Sequence, residues 1–449
     1  MASRVGASMA SLPLAPGALP LLGHAAAMLR DPLAFLRSLP TDRPLLRLRL
    51  GPATLVLVCD PGLTHQVFLN DRIFDKGGPL YNRAREVVGH GLVTCAHRDH
   101  RRQRRQCQPS FRPDRLPDAV AAAVIAAREM ISTWDTGQTV DITAQTMGFA
   151  TRSTLGGLFT NALPDADTER IRRALTVIEE GIYRRTVTPA PVNRLPLPAN
   201  RRYRAGATGL RREVAAIIAA RRGDGRDHGD LLSALLGATG SDSSSCVDVP
   251  VMSETEVADQ IQVFLHAGVE ASAAALGWSL HLLAEHPPIA ERLRAEYDAV
   301  LAGTPLVPGH LPHLTWTRAV VTEALRLYPP VWFLTRSVEA STELGGTRLP
   351  AGSAIALSPY LLHRRPELHH RPGHFDPGRW RGVRPARTTF LPFGAGARKC
   401  IGDRLGMDSV VAALAIVAGR WRLTPVAGAP VRPRAILSPR GLRLRVTAR

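Results

Sequence analysis

The sequence predicts a mainly α-helical fold with a small β portion, built as a single unit over residues 1–449. Three observations carry that expectation. Helical periodicity fills the middle of the chain, short period-two alternations sit near its two ends, and no internal repeat or long linker divides it. Length alone suggests about three domains, at on the order of 100–200 residues each. The lack of a linker argues against that division.

Taken in order, residues 1–25 form a Pro-rich entry segment. Pro13, Pro16 and Pro20 interrupt its apolar character and little basic charge precedes it, so a cleaved signal is not expected. Leu46-Arg47-Leu48-Arg49-Leu50 alternates at period two, Gly51-Pro52-Ala53 follows, and Thr54 to Val58 is apolar. That pattern is a β-hairpin with a short turn. Helical patterns run over Asp118 to Trp134, Asp165 to Tyr183, Ala205 to Arg222 and Ser253 to His286, while Gly240 to Pro250 is a polar loop. Leu442-Arg443-Leu444-Arg445-Val446 repeats the alternation weakly at the far end.

The segment from Ser253 to His286 is the most informative helix. Ser253 with Glu256 three residues on is a capping box, and Pro287-Pro288 stops the helix. Such a helix is roughly 50 Å long at about 1.5 Å per residue. Its middle is apolar, with Phe264, Ala267 and Gly268, yet it carries the carboxylate Glu270. A buried acid is costly unless paired. Glu270 therefore either turns outward or meets a buried arginine, or it handles protons beside a pocket that Gly268 opens.

Composition narrows the class. Apolar residues make up 45% and charged residues 21%, which excludes a disordered, collagenous or coiled-coil chain. No uninterrupted apolar run of roughly 18 residues exists, so no membrane span is expected. The 57 Lys+Arg exceed the 38 Asp+Glu, giving +19, and Lys76 and Lys399 are the only lysines. That excess is either a diffuse charge or a docking face for an acidic partner. Cys59, Cys95, Cys107, Cys246 and Cys400 are scattered with no C-x-x-C pair, which disfavours disulfides and suits a reducing cytoplasm.

The strongest signal is Phe393-Gly394-Ala395-Gly396-Ala397-Arg398-Lys399-Cys400-Ile401-Gly402. Its glycines permit turns that side-chained residues resist, and a helical pattern follows Gly402. Cys400 is thus expected at a helix N-terminus, with Arg398 and Lys399 adding positive charge, where a thiolate is stabilised as nucleophile or metal ligand.

Here the sequence resembles the cytochrome P450 family, whose signature F-x-x-G-x-R-x-C-x-G is met by Phe393, Gly396, Arg398, Cys400 and Gly402. Glu323-Ala324-Leu325-Arg326 fits the family's E-x-x-R, and Phe375 to Trp380 fits F-x-P-x-R-W. The resemblance covers nearly the whole chain. It implies the P450 fold with a long central helix crossing the haem, and haem b (iron protoporphyrin IX) with Cys400 as axial iron ligand. It implies O2 as oxidant, with electrons from NAD(P)H through a ferredoxin and its reductase, in a monomer. Glu323, Arg326 and Arg379 become a structural salt-bridge cluster. The i,i+3 spacing of Glu323 and Arg326 suits that.

His97 to Arg105 is the most basic run. No aromatic residues interleave it and no binding module surrounds it, so nucleic acid is not the expected partner. In the family an H-x-x-x-R pair at this point binds haem propionates, and His100 and Arg104 match it. Arg336 and Arg398 match two further propionate contacts. Four cations for two carboxylates is chemically sensible. Arg101, Arg102 and Arg105 are left to face an acidic electron donor. His363, His369, His370 and His374 are read as surface or loop histidines, with a zinc site as the alternative.

One position departs from the family. Most members carry A-G-x-[DE]-T on the long helix; here Ala267, Gly268 and Glu270 match, but Ala271 replaces the threonine. Alanine has no hydroxyl to hold water or relay a proton. Ser272 is turned about 100° away and is expected to bond its own helix backbone. Water or a substrate hydroxyl is expected to fill the gap. The pocket is assigned to Phe264, Ala267, Gly268, Trp332, Phe333 and Leu334. Residues 183–202 and 17–23 are similar to bacterial sesquiterpene-oxidising members, which implies a cyclic terpene substrate in secondary metabolism. Glu270-Ala271-Ser272 supports a polyketide macrolactone as the alternative. A peroxide-driven or non-oxidative haem-thiolate enzyme and a haem-thiolate sensor are the others.

Overall fold

The computed structural model describes residues 7–40, 42–160, 163–188, 190–237, 252–426 and 436–449. The expected polar loop at 240–250 lies outside them. Contacts cluster into two compact units, each drawn from several segments of the chain.

The first unit comprises Met1–Arg83, Arg326–His374 and Arg384–Cys400. Its centre is a five-stranded sheet in the order Leu45–Leu50, Ala53–Val58, Ala354–Leu357, Leu334–Val338, Phe74–Asp75. The expected hairpin is its first pair. Leu50 pairs with Ala53 across a two-residue loop, and Gly51 takes φ +60°. That is the first central position of a II′ turn, where glycine avoids the strain of a positive φ. The strands Leu334–Val338 and Ala354–Leu357 pair antiparallel, and the latter runs parallel to Ala53–Val58. Val56, Val58, Phe74, Leu334, Ile355 and Leu357 belong to one buried cluster on this sheet. The Pro-rich entry is docked along strand Leu45–Leu50. Ala15 N donates to Arg47 O at 3.0 Å, and the fully buried His24 ring reaches Ala15 O at 2.8 Å.

The second unit comprises Ala84–Leu325, Phe375–Val383 and Ile401–Arg449. It is mainly helical. The expected helices occupy Leu116–Ser132, Asp165–Val187 and Pro198–Asp224, the last starting earlier than its apolar pattern because Pro198 opens the first turn. The long helix is Glu254–Glu285, capped by Ser253 with Glu256 as the reciprocal partner and closed at His286. Helices Ile142–Phe159, Asp403–Arg420 and Pro198–Asp224 pack around it. It is long and apolar enough to cross a membrane, yet 72% of its apolar window is buried in protein, which makes it a core helix. The terminal alternation forms strand Arg443–Ala448, between Trp421–Pro425 and Thr139–Asp141.

Gly268 corrects one expectation. A Cβ there would meet the Thr154 side chain of helix Ile142–Phe159 at 3.0 Å. The missing side chain lets two helices approach, so the space beside Gly268 belongs to Thr154.

Candidate active site

In the first unit, the thiolate loop is shaped by its glycines. Gly394 and Gly396 take φ +65° and +68°, and a Cβ on Gly396 would stand 2.2 Å from Phe68 O. Only glycine fits that approach. Cys400 N donates to Phe393 O at 2.9 Å, which closes the loop and leaves Cys400 exposed, whereas Cys59, Cys95 and Cys107 are buried. Burial pushes the thiols of Cys59 and Cys107 up to about 12, so they stay protonated. The following helix is capped at Gly402, two residues beyond Cys400.

Arg398 is buried between two carboxylates. Its Nε donates to Asp71 Oδ2 at 3.0 Å and its Nη2 to Asp75 Oδ1 at 2.6 Å. Sequence reasoning missed this pair, because 327 residues separate Arg398 from Asp71 and no local pattern links them. Arg336, on strand Leu334–Val338, is 4% exposed. It donates to Tyr81 Oη at 3.2 Å and to Thr335 O at 3.0 Å, and its guanidinium lies 5.6 Å from the centre of the Phe68 ring. No carboxylate among the described residues neutralises it. A buried cation without a counter-ion is costly, and an anionic ligand suits it.

Arg326 is fully buried and donates to the carbonyls of His363, Pro372 and His374 at 2.9, 2.6 and 3.0 Å. His363 is not a surface residue. It is fully buried, its Nε2 accepts from Leu391 N at 2.8 Å, and burial holds its pKa well below the usual value. Among the described residues no three His, Cys, Asp or Glu side chains group as a metal site. Of the expected pocket wall, Leu334 lies in the sheet's core cluster, Trp332 is buried and Phe333 is half-buried.

In the second unit, helix His97–Cys107 buries His100 and half-buries Arg104 one turn on. Arg101 and Arg105 are exposed, but Arg102 is not available to a partner because it pairs with Glu256 at the start of the long helix. Glu323 is fully buried and accepts from Asp376 N at 3.0 Å, Arg379 Nε at 3.0 Å and Trp380 Nε1 at 2.8 Å.

The long helix presents three faces. Ala267 is exposed and Ala271 partly so, one turn apart on a helix otherwise largely buried, and Phe264 beside them stacks on Phe111 at 5.4 Å. Gly268 faces Thr154. Glu270 faces helix Asp165–Val187, buried beside His266 and Glu179. Burial, partly offset by Arg440, pushes Glu270 up to about 8, and burial holds His266 down to about 4. Their 3.8 Å approach is therefore a contact of two neutral groups at neutral pH. Ser272 is half-buried and makes no back-bond to its helix among the described residues, whereas Ser279 bonds Ala275 O at 2.7 Å.

The family model of cytochrome P450 matches residues 13–442. The chain belongs to the cytochrome P450 family and is a P450 monooxygenase, a family that implies a haem cofactor and reductant-driven electron supply; its homologues generally use redox partners and O2 with apolar substrates. It is 43% identical to cyclooctat-9-en-7-ol 5-monooxygenase of Streptomyces melanosporofaciens, over 92% of this chain and 90% of that one. It is 40% identical to pentalenene oxygenase of Streptomyces avermitilis, over 97% of each. The solved haem domain of cytochrome P450DA shares the fold, with a TM-score of 0.85, 24% identity and 98% coverage of both chains.

Proposed function

We propose that this monooxygenase inserts one oxygen atom into a cyclic terpene, hydrocarbon or already once oxidised, in bacterial secondary metabolism. The observation that supports it most is similarity over nearly the whole chain to enzymes named for oxidising cyclooctat-9-en-7-ol and pentalenene. The electrons come from NAD(P)H through a ferredoxin and its reductase, in a cytoplasmic monomer.

The residues fit haem b. Arg336 is a buried cation with no carboxylate partner among the described residues, and the cysteine loop holds Cys400 exposed. In this reading Cys400 ligates the iron, Phe393 closes the loop, and Arg336, Arg398, His100 and Arg104 hold the propionates. The bound haem supplies oxygen activation, its thiolate favouring O–O cleavage. Glu270, protonated at neutral pH, stores the proton that this chemistry consumes. Ala267 and Ala271 leave an apolar exposed face beside Phe264 on the long helix, and Trp332 and Phe333 are the apolar candidates of the first unit. Ala271 offers no hydroxyl, so water or a substrate hydroxyl completes the relay.

The test is optical and chemical. Reduced protein with carbon monoxide should show the thiolate-type absorbance that Cys400→Ala abolishes. A panel of cyclic terpenes and macrolactones is then screened for a Soret shift and for a product one oxygen heavier. A shift and product with macrolactones alone would move the substrate to that class.

A further inference from the structure

The Pro-rich segment laid along strand Leu45–Leu50 carries a concentration of apolar surface. Of the fifteen large hydrophobic side chains that the described residues leave exposed, five stand within residues 14–29: Leu14, Leu19, Leu21, Leu22 and Leu29. Leu21 is 88% exposed, and the other four lie between 39% and 53%. Exposed leucines scattered singly need no explanation, whereas a group of them marks a contact surface.

The backbone holds this group out in solvent. Leu19 N donates to Gly23 O at 2.8 Å and Gly23 N to Leu19 O at 2.9 Å, which closes Pro20-Leu21-Leu22 into a three-residue tip. The tip is pinned to the sheet, since Gly51 N donates to Leu22 O at 3.0 Å and a Cβ on Gly23 would stand 2.3 Å from Arg49 O. The buried His24 ring next to it accepts from Arg49 N at 3.0 Å and lies 5.3 Å from the Phe35 ring. Leu21 takes φ +60°, a conformation that glycine and asparagine adopt more readily. A turn built only to be solvated would carry one of those residues at its apex. Here a leucine occupies the strained position and points its side chain into water.

Charge decides what covers the tip. Arg49 follows the strand into the Gly23 contact, and Arg30 ends helix Ala25–Arg30. Both are exposed, and neither pairs with a carboxylate among the described residues. Asp31, the one acid in residues 14–31, caps the next helix by accepting from Ala34 N at 2.9 Å. A stable protein interface uses roughly 20–30 residues a side, far more than this tip offers. Its anchors are typically aromatic or arginine rather than leucine. Leucines bordered by arginine are instead suited to the boundary between lipid headgroups and acyl chains.

We propose that the Leu19–Leu22 tip docks on an anionic lipid surface: Leu19, Leu21 and Leu22 enter the acyl boundary, and Arg30 and Arg49 meet the headgroup phosphates. The contact is peripheral and reversible. It goes beyond the terpene reading and stands independently of it.

The test is co-sedimentation of the full haem-loaded chain with vesicles of phosphatidylglycerol and, separately, of phosphatidylcholine. The native chain should sediment with the anionic vesicles and bind the neutral ones about tenfold or more weakly, the scale of two arginines at a charged surface. Leu21→Asn with Leu22→Asn should weaken binding to both about tenfold or more, the scale of two methylenes leaving the acyl boundary. Asparagine tolerates the positive φ of Leu21, so the fold is kept, and the carbon monoxide spectrum checks that. Arg30→Gln with Arg49→Gln should weaken binding to phosphatidylglycerol alone. Ile125→Asn, at an exposed position of the second unit, should bind as the native chain does. A native chain that binds neither vesicle overturns the proposal. A leucine variant that binds like the native chain also overturns it, because diffuse charge then accounts for the binding. A solution dimer that Leu21→Asn dissociates overturns it by giving the tip to a second copy. Failure to oxidise terpenes with native vesicle binding overturns the substrate reading and leaves the docking tip standing.

Discussion

Gly396 and Glu270 are residues whose cost is set by where the fold puts them. Gly396 holds φ +68° with Phe68 O at 2.2 Å from where a Cβ would stand, so Gly396→Ala must strain the backbone and push a neighbouring carbonyl. Together these should cost about 1–3 kcal/mol, read as a lower unfolding midpoint and weaker haem retention. Glu270 predicts a pH dependence. Burial raises its carboxyl from 4.5 to about 8, so unfolding releases a proton throughout that range. Its contribution to stability is complete below the lower value and is lost as pH rises through the upper one. His266, held down from 6.5 to about 4, runs the other way and costs stability as pH falls through its own window. Glu270→Gln should therefore flatten the decline between pH 4.5 and about 8, where each pH unit spent with one extra proton bound in the fold is worth about 1.4 kcal/mol. Denaturant midpoints measured across the range check it; an unchanged slope would mean Glu270 is not buried as an acid.

Helix ends and loop closures decide the next scale. The long helix announced both its ends, since Ser253 and Glu256 form the reciprocal cap and His286 closes it before Pro287. Ser253→Ala should cost about 1 kcal/mol, visible as a small drop in midpoint with the haem spectrum unchanged. Glu323→Gln is the harsher change. It leaves Arg379 and the Asp376–Trp380 turn without the carboxylate that gathers three donors, and breaking such a buried charge pair costs about 3–5 kcal/mol. The expected outcome is loss of folded protein at ordinary growth temperature, followed by expression and circular dichroism. The hairpin at Gly51-Pro52 and the cysteine loop were equally readable, because turn chemistry is local. Strands Leu334–Val338 and Ala354–Leu357 were not, because they are short and each is defined by a partner far along the chain. The same reason hid Asp71 and Asp75 behind Arg398, and Thr154 against Gly268. Each is a contact between elements, and the periodicity of one segment cannot register it.

Across the whole molecule the relevant quantity is the net charge of +19, carried almost entirely by arginine. Part of it is internal. Arg326 caps carbonyls, Arg398 is held by two aspartates, and Arg102 is taken by Glu256, so none of these is offered to a partner in solution. Arg101 and Arg105 on helix His97–Cys107 remain exposed and turn their charge to solvent. An acidic electron donor would be drawn to such a surface, and steering of this kind raises association rates about tenfold or more at low salt. It is also screened, over about 8 Å at physiological ionic strength. Reduction by an acidic ferredoxin should therefore slow as salt is raised. Arg101→Glu with Arg105→Glu should slow it at low salt and flatten the salt dependence, while leaving the carbon monoxide spectrum and the substrate-induced Soret shift unchanged. Stopped-flow reduction at several salt concentrations reads both effects. If the double variant keeps the native salt slope, the docking charge lies elsewhere among the exposed arginines.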